Sequence, residues 1–216
     1  MEEVVLVDEQ DRVVATEEKL RAHRDGGKLH RAFSILICDP RGQMLLQLRA
    51  RRKYHFGGLW TNACCGHPRP GEPLDQAAHR RLREELGFDT PLRELFSFIY
   101  RVDDPGSGLS EHEYDHVFFG VFEGTPCPDP GEVDDYKWVE PGDLQRDLGR
   151  HPGRYTPWFR LAFSEVVAHL TACLMSGAGD RTVPPPDGPG ATAHEVYHFR
   201  ASDGERSDDQ ARTEEP

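Results

Sequence analysis

The sequence predicts an α/β (α+β) domain in which a mixed β-sheet is sandwiched between α-helices. Three observations carry this expectation. Apolar-rich segments of strand length recur between turn signals from residue 4 to residue 139, and a charged helical run over residues 73–86 opens on Pro73 and stops before Gly87. Phe159, Phe163, Val166, Val167 and Leu170 then repeat at helical spacing. Apolar strand faces and apolar helix stripes must both be buried, and this order of elements does so with a sheet packed between helices.

Residues 4–7 and 12–15 read as a short hairpin around Glu9-Gln10-Asp11, and residues 17–21 follow it and carry Lys19. Residues 31–39 and 43–49 are two strands joined at Pro40-Arg41-Gly42, where Pro fixes one dihedral and Gly permits another. Residues 60–65 form a further short strand. The helix over residues 73–86 has Pro in its first turn and Gly87 just past its end, the usual asymmetry of helix termini. Residues 93–102 and 114–122 are strands flanking the loop Asp103-Asp104-Pro105-Gly106-Ser107-Gly108, and residues 132–139 are another. Helices over residues 141–148 and 157–174 close the domain, and no internal repeat is present.

A chain of 216 residues is long enough for one well-buried domain and too short for two large ones. Residues 1–175 fill that role. Residues 176–216 differ, with Ser176-Gly177-Ala178-Gly179, then Pro184-Pro185-Pro186-Asp187-Gly188-Pro189-Gly190, and almost no apolar cluster afterwards. Such a Pro/Gly-rich acidic tail buries too little surface to offset its ordering entropy and is expected to be disordered.

The formal net charge is −12, of which the tail's nine acids and four arginines contribute −5. That balance argues against nonspecific nucleic-acid binding. Yet residues 40–71 contain no Asp or Glu while holding Arg41, Arg49, Arg51, Arg52, Lys53 and Arg69. A cationic window in an acidic protein focuses field locally and suits a small anion. Five cysteines, Cys38, Cys64, Cys65, Cys127 and Cys173, form no disulfide framework, and no leader or stretch of transmembrane length is present. The expectation is a cytoplasmic enzyme in which an important cysteine acts as a thiol, with no membrane partner, as a monomer or weak homodimer.

The densest chemistry lies in residues 60–87. A strand-like Trp60-Thr61-Asn62-Ala63-Cys64-Cys65-Gly66-His67-Pro68 runs into a charged helix ending Arg80-Arg81-Leu82-Arg83-Glu84-Glu85-Leu86-Gly87. A thiol, an imidazole and carboxylates thus lie beside arginines able to grip an anion. Gly66, five residues, Glu72, seven residues, Arg80, then Leu82, Glu84, Glu85, Gly87 and Phe88 resembles the Nudix box, the loop and helix that hold a divalent ion against a diphosphate. One position departs from the box, which expects Glu after its Arg, whereas this chain has Arg81. Hydrolysis in that superfamily uses several carboxylates to hold metals and activate water, so a cation here points away from hydrolysis.

The flanks narrow the resemblance. His23 and His30 upstream, the Thr61-Asn62-Ala63-Cys64-Cys65-Gly66-His67-Pro68 stretch, and Glu111-His112-Glu113 downstream together resemble the type I isopentenyl-diphosphate isomerases, over roughly residues 4–170. The resemblance implies a Nudix-like fold and interconversion of isopentenyl and dimethylallyl diphosphates in isoprenoid precursor biosynthesis. It implies a metal site of His23, His30, His67, Glu111 and Glu113 for Mn²⁺ or Zn²⁺, and Mg²⁺ bridging substrate to the Glu85 side chain and the Cys65 backbone carbonyl. Lys19, Arg49, Lys53 and Arg81 match the diphosphate-holding positions. Cys65 and Glu113 match the two proton-transfer residues, proposed to act from opposite faces of the substrate, with Glu113 bound to metal through one oxygen. Tyr100 matches the tyrosine that hydrogen-bonds near Glu113, and Trp158 the indole whose face meets the developing cation. No flavin is implied.

The residues themselves are compatible with this chemistry. Three imidazoles and two carboxylates suit a borderline divalent ion, and Glu111 and Glu113, two apart at the edge of a strand, leave the same face while His112 leaves the other. Taken singly, each of these histidines reads as a surface or core residue; the match at all five positions selects them. His55, His79 and His116 have no pattern partner and read as ordinary surface or core residues, Cys64 as packing, and Arg80 with Glu84 as a surface ion pair. Moving a double bond requires adding a proton to a weakly basic alkene, hence a strong acid, a matched base and a cation-tolerant wall. His194-Glu195-Val196-Tyr197-His198 satisfies the H-E-x-x-H zinc pattern but follows a Pro/Gly run, where the required buried helix is not expected. Two other functions remain open from sequence: a Nudix hydrolase of a nucleoside or other diphosphate, and a catalytically silent metal-binding domain.

Overall fold

The computed structural model describes residues 2–163, 165–166 and 196–199. Strands β1 (Glu3–Val7) and β2 (Val13–Glu18) pair antiparallel around Asp11, whose φ is 58°. The chain then makes one helical turn, α1 (Lys19–Ala22), capped by Glu18, whose carboxylate accepts the backbone N–H groups of Leu20 and Arg21. β3 (His30–Cys38) is the spine of a ten-stranded mixed sheet. It pairs parallel with β8 (Leu109–Val121) and antiparallel with β6 (Cys64–Gly66). β4 (Met44–Arg49) joins β5 (Trp60–Thr61) and β9 (Val133–Val139), and β7 (Leu92–Asp104) forms a hairpin with β8.

Both faces of the sheet are covered, so β3 is apolar almost throughout. On one face Phe33, Ile35 and Ile37 pack with Ala77, Ala78, Leu82 and Leu86 of α2 (Leu74–Leu86). On the other, Leu36, Phe98, Tyr100 and Val117 meet Leu144 of α3 (Pro141–Arg150) and Trp158, Phe159 and Phe163 of α4, helical at residues 157–163 and 165–166. The expected sandwich is therefore present. Gly87 ends α2 with φ 72°, and a Cβ there would stand 2.6 Å from the Cys127 carbonyl, so both the turn and the packing require glycine.

Three expectations are corrected. The single strand over residues 60–65 is two: β5 pairs with β4 and β6 with β3. The break is held by Asn62, whose amide donates to the carbonyls of Ile35 and Cys64 at 3.2 and 2.7 Å. β7 and β8 are 13 residues each, so the connection between them is only residues 105–108, and Glu111 and Glu113 lie inside the strand instead of at its edge. Within the tail, Val196–Phe199 form β10, paired parallel with β7. A strand at residues 196–199 is incompatible with the helix that the zinc-protease pattern needs. The rest of the expected disordered tail, and the end of the helix expected over residues 157–174, lie outside the described residues.

One ion-pair cluster ties the β1–β2 turn to the long hairpin. His116 has Nδ1 2.7 Å from Glu94 Oε1 and Nε2 3.1 Å from Asp11 Oδ2, and Arg31 Nε donates to Asp11 Oδ1 at 2.7 Å. Burial alone would depress the His116 pKa, but the two carboxylates outweigh it and raise the value to about 9. The folded pKa lies above the unfolded one, so this stabilisation is fully present below about pH 6.5 and is lost as pH rises through 9. His116→Gln is expected to destabilise the fold by about 1–3 kcal/mol near neutral pH and by much less at high pH. Thermal melts of both proteins across that window provide the check, and a pH-independent difference would exclude the assigned charge.

Candidate active site

One pocket of about 320 Å³ opens above the β3–β8 pair, within the size range of small-molecule sites. His67, Glu111 and Glu113 line it, and His23 and His30 are buried beside them. His23 follows α1, His30 opens β3, His67 follows β6, and Glu111 and Glu113 share a face of β8. The parallel β3–β8 register sets His30 beside Glu113. One potential donor atom from each of His23, His30, His67, Glu111 and Glu113 lies within 4.8 Å of the others.

The donor atoms meet in an arrangement that hydrogen bonding does not explain. His23 Nδ1 lies 2.6 Å from the Lys19 carbonyl and His30 Nδ1 2.8 Å from the Lys28 carbonyl, contacts that orient both Nε2 atoms inward. His23 Nε2 stands 2.9 Å from Glu111 Oε2, yet both are buried without a hydrogen-bond partner. His30 Nε2 and His67 Nε2 face each other at 3.2 Å. Converging, poorly satisfied nitrogen and oxygen atoms fit a divalent ion, and the three imidazoles fit a borderline one. Burial and Glu111 oppose each other at His23, and the carboxylate prevails, raising it to about 9; burial prevails at His67, lowering it to about 4.

Glu113 is divided between two tasks. Its Oε1 lies 2.8 Å from His67 Nε2 and 3.5 Å from His30 Nε2, whereas Oε2 accepts the Tyr100 hydroxyl at 2.5 Å. Across the pocket, Cys65 Sγ accepts the Trp158 indole N–H at 3.2 Å and donates to Asn62 Oδ1 at 3.1 Å. Burial pushes the Cys65 thiol up to about 12, so it carries its proton at neutral pH. Cys64 faces the opposite side and is packed in the core beneath α2, as the alternation predicts. Ser34 Oγ stands 3.7 Å from Cys65 Sγ and donates to buried Asp115 at 2.8 Å.

The mouth of the pocket is cationic, with Lys19, Arg49, Lys53 and Arg81 all lining it. The Arg49 guanidinium carbon lies 5.2 Å from the Trp158 ring centroid. Three of these cations have acidic partners: Lys19 pairs with Glu2 at 3.2 Å, Lys53 with Glu132, and Arg81 with Glu84, Glu85 and Glu132. Glu85 is buried, accepts Gln47 Nε2 at 2.8 Å, and lines the same pocket as Cys65. Arg80 instead grips Glu72 through two nitrogens at 2.7 and 2.8 Å, besides the expected pair with Glu84 at 3.2 Å.

The predicted site residues other than His23 and His30 line one pocket, and those two meet it through the donor atoms they place near His67, Glu111 and Glu113. The sequence reading of His55 is corrected: it is buried against Glu111. Glu2, Ser34, Glu132 and Asp115 were also missed. Asn62 sat within the recognised stretch without a role. His55 lies in the cationic window, which was a usable signal; Glu132 and Asp115 gave none locally.

Residues 28–159 match the NUDIX domain family. A solved structure from Deinococcus radiodurans has a TM-score of 0.63 at 20% identity, covering 76% of this chain and 98% of its own. A MutT protein from Methanosarcina mazei has a TM-score of 0.55 at 20% identity, covering 66% and 95%. At such identities the likeness establishes the fold, and fold and box together define a Nudix-domain protein. The isopentenyl-diphosphate Delta-isomerase of Halorhodospira halophila is 52% identical over 166 residues, covering 76% of this chain and 95% of that protein. The protein of that name from Nocardia farcinica is 47% identical over 176 residues, covering 82% and 98%. The chain belongs to the isopentenyl-diphosphate Delta-isomerase family of Nudix proteins.

Proposed function

We propose that this protein interconverts isopentenyl diphosphate and dimethylallyl diphosphate, supplying isoprenoid precursors. The observation that carries the reading is a protonated thiol, Cys65, and a carboxylate, Glu113, facing one pocket that Lys19, Arg49, Lys53 and Arg81 also line. The forward reaction adds a proton to the terminal methylene carbon and removes one from the allylic carbon, so the double bond moves and charge is conserved. Cys65 and Glu113 are the two proton positions; Tyr100 holds one Glu113 oxygen, and Trp158 holds the sulfur and walls off water. An indole beside a developing tertiary cation stabilises it by on the order of 2 kcal/mol in a dry site.

His23, His30, His67, Glu111 and Glu113 would hold Mn²⁺ or Zn²⁺, and Glu85 with the Cys65 carbonyl would hold Mg²⁺ against the diphosphate. Such ions supply charge neutralisation and strengthen a bound carboxyl group as an acid. Lys19, Arg49, Lys53 and Arg81 orient the diphosphate. Among the described residues, those lining the pocket fall between Glu2 and Trp158, which supports assigning the activity to residues 1–175. No helix among the described residues is long and apolar enough to cross a membrane. The buried, unpaired thiols of Cys38 and Cys64 suit a reducing cytoplasm, and a monomer or weak homodimer is the working assembly.

Incubation with isopentenyl diphosphate and Mg²⁺ in D₂O, followed by NMR, tests the reading. Dimethylallyl signals carrying deuterium are expected; phosphate release would favour a hydrolase, and unchanged substrate with folded, metal-loaded protein a silent domain. Arg81 stands against the hydrolase because it puts a guanidinium beside Glu84, Glu85 and Glu132, where a hydrolytic box gathers carboxylates for metal. Arg81→Glu is expected to raise KM for the diphosphate by about 10-fold or more, the equivalent of losing one charge-assisted contact. Unchanged substrate affinity would remove Arg81 from the diphosphate site.

A further inference from the structure

The loop between β4 and β5 carries a histidine to which neither the resemblance nor the proposed chemistry gives a role. His55 is 7% exposed, and its Nε2 lies against Glu111 Oε1. The other oxygen of the same carboxylate, Oε2, faces His23 Nε2 at 2.9 Å. His55 is not among the five residues whose donor atoms converge within 4.8 Å. It therefore meets a metal-ligand candidate from outside the ligand set.

We propose that His55 is a positioning residue of the metal site, whose Nε2–H holds one Glu111 oxygen so that the other is presented beside His23 to a divalent ion. A carboxylate bonded by only one neighbour can rotate and present either oxygen; two neighbours on opposite oxygens remove that freedom. The loop is built to hold the ring there. Phe56 has a φ of 48°, a left-handed conformation unusual for a bulky residue, which persists only where packing over-determines it. The His55 ring is tilted against Tyr54 at 4.3 Å between centroids, and Phe56 meets Trp158 edge-on at 5.3 Å. His55 also accepts Arg49 Nη2 at its backbone carbonyl, at 3.4 Å. The same short loop carries Lys53, so the segment that brackets the diphosphate also orders a metal ligand. A histidine serving only to fill space would have no need to contact the Glu111 oxygen that His23 does not meet, as Tyr100 contacts the Glu113 oxygen turned from His67.

This inference rests on the metal reading above, and its test separates the two. Full-length wild-type protein, His55→Leu and His55→Gln are stripped with chelator and titrated with Mn²⁺, with free Mn²⁺ read by electron paramagnetic resonance. The leucine variant keeps volume without a donor; the glutamine variant keeps a donor. Affinity is expected to fall about 10–100-fold in the leucine variant and to recover substantially in the glutamine variant. Wild-type affinity in His55→Leu overturns the inference, as does an equal loss in both variants, which would indicate shape instead of hydrogen bonding. Should the leucine variant fail to fold by thermal melting, His55→Ala replaces it under the same criteria. A wild-type protein that takes up no Mn²⁺ would overturn the metal reading itself, and this inference with it.

Discussion

Replacing Cys65 with serine is expected to lower kcat by about 10²–10⁴-fold, the usual contribution of one proton-transfer group. The geometry makes the sulfur hard to substitute. Sγ is held between the Trp158 indole N–H at 3.2 Å, Asn62 Oδ1 at 3.1 Å and Ser34 Oγ at 3.7 Å. A shorter C–O bond retracts the proton from those positions, and a hydroxyl shares proton with carbon less readily than a thiol. None of these contacts reaches the five converging histidine and glutamate residues. Metal content and the KM for the diphosphate are therefore expected to change little while kcat collapses. Steady-state kinetics with metal analysis on the same preparation checks this, and near-normal turnover would end the role assigned to Cys65.

Glu113→Gln is expected to be more severe, with kcat falling by about 10⁴-fold or more, because the carboxylate serves two functions. One oxygen faces His67 and His30, and the other receives Tyr100 at 2.5 Å. An amide keeps the shape but carries no charge and cannot shuttle a proton. Tyr100, whose hydroxyl is kept protonated by burial and the neighbouring Glu113 charge, remains a donor and loses its anionic acceptor. The variant should lose both turnover and metal affinity, whereas Cys65→Ser should lose turnover alone. Retention of full activity after complete metal removal from the wild type, or normal metal binding by Glu113→Gln, would separate Glu113 from the metal site.

The parts of the fold that were legible in the sequence are those decided within a few residues. The Pro40-Arg41-Gly42 turn, the Pro73 start and Gly87 stop of α2, and the hairpin at Glu9-Gln10-Asp11 depend on dihedral preferences of the residues present. The split between β5 and β6 was not legible. Residues 60–65 read as one short strand, and the break arises because each half pairs with a different strand while Asn62 satisfies the carbonyls between them.

The same division runs through the site. The family resemblance singled out Cys65, His67, Glu111 and Glu113, and Arg81 marked the departure from a hydrolytic box. The contact of His55 with Glu111 was not legible because the two lie 56 positions apart in the sequence, although the cationic window held the residue itself. Glu132, which pairs with Lys53 and Arg81, and Asp115, which anchors Ser34, were hidden for the same reason.

By itself the sequence determined most of the elements, which chemical groups are available and which family pattern they match, since those follow from local propensity and residue identity. Tertiary structure alone decided which oxygen of each glutamate faces the histidines, which cations already have acidic partners, and that His55 belongs to the site. The facing of the glutamates depends on the registers of β3 with β8 and of β7 with β8, and the ion pairs and the His55 contact on segments distant in sequence meeting at the pocket. A one-residue slip would turn Glu111 and Glu113 to the other face, and the burial that holds the register is summed over the whole core.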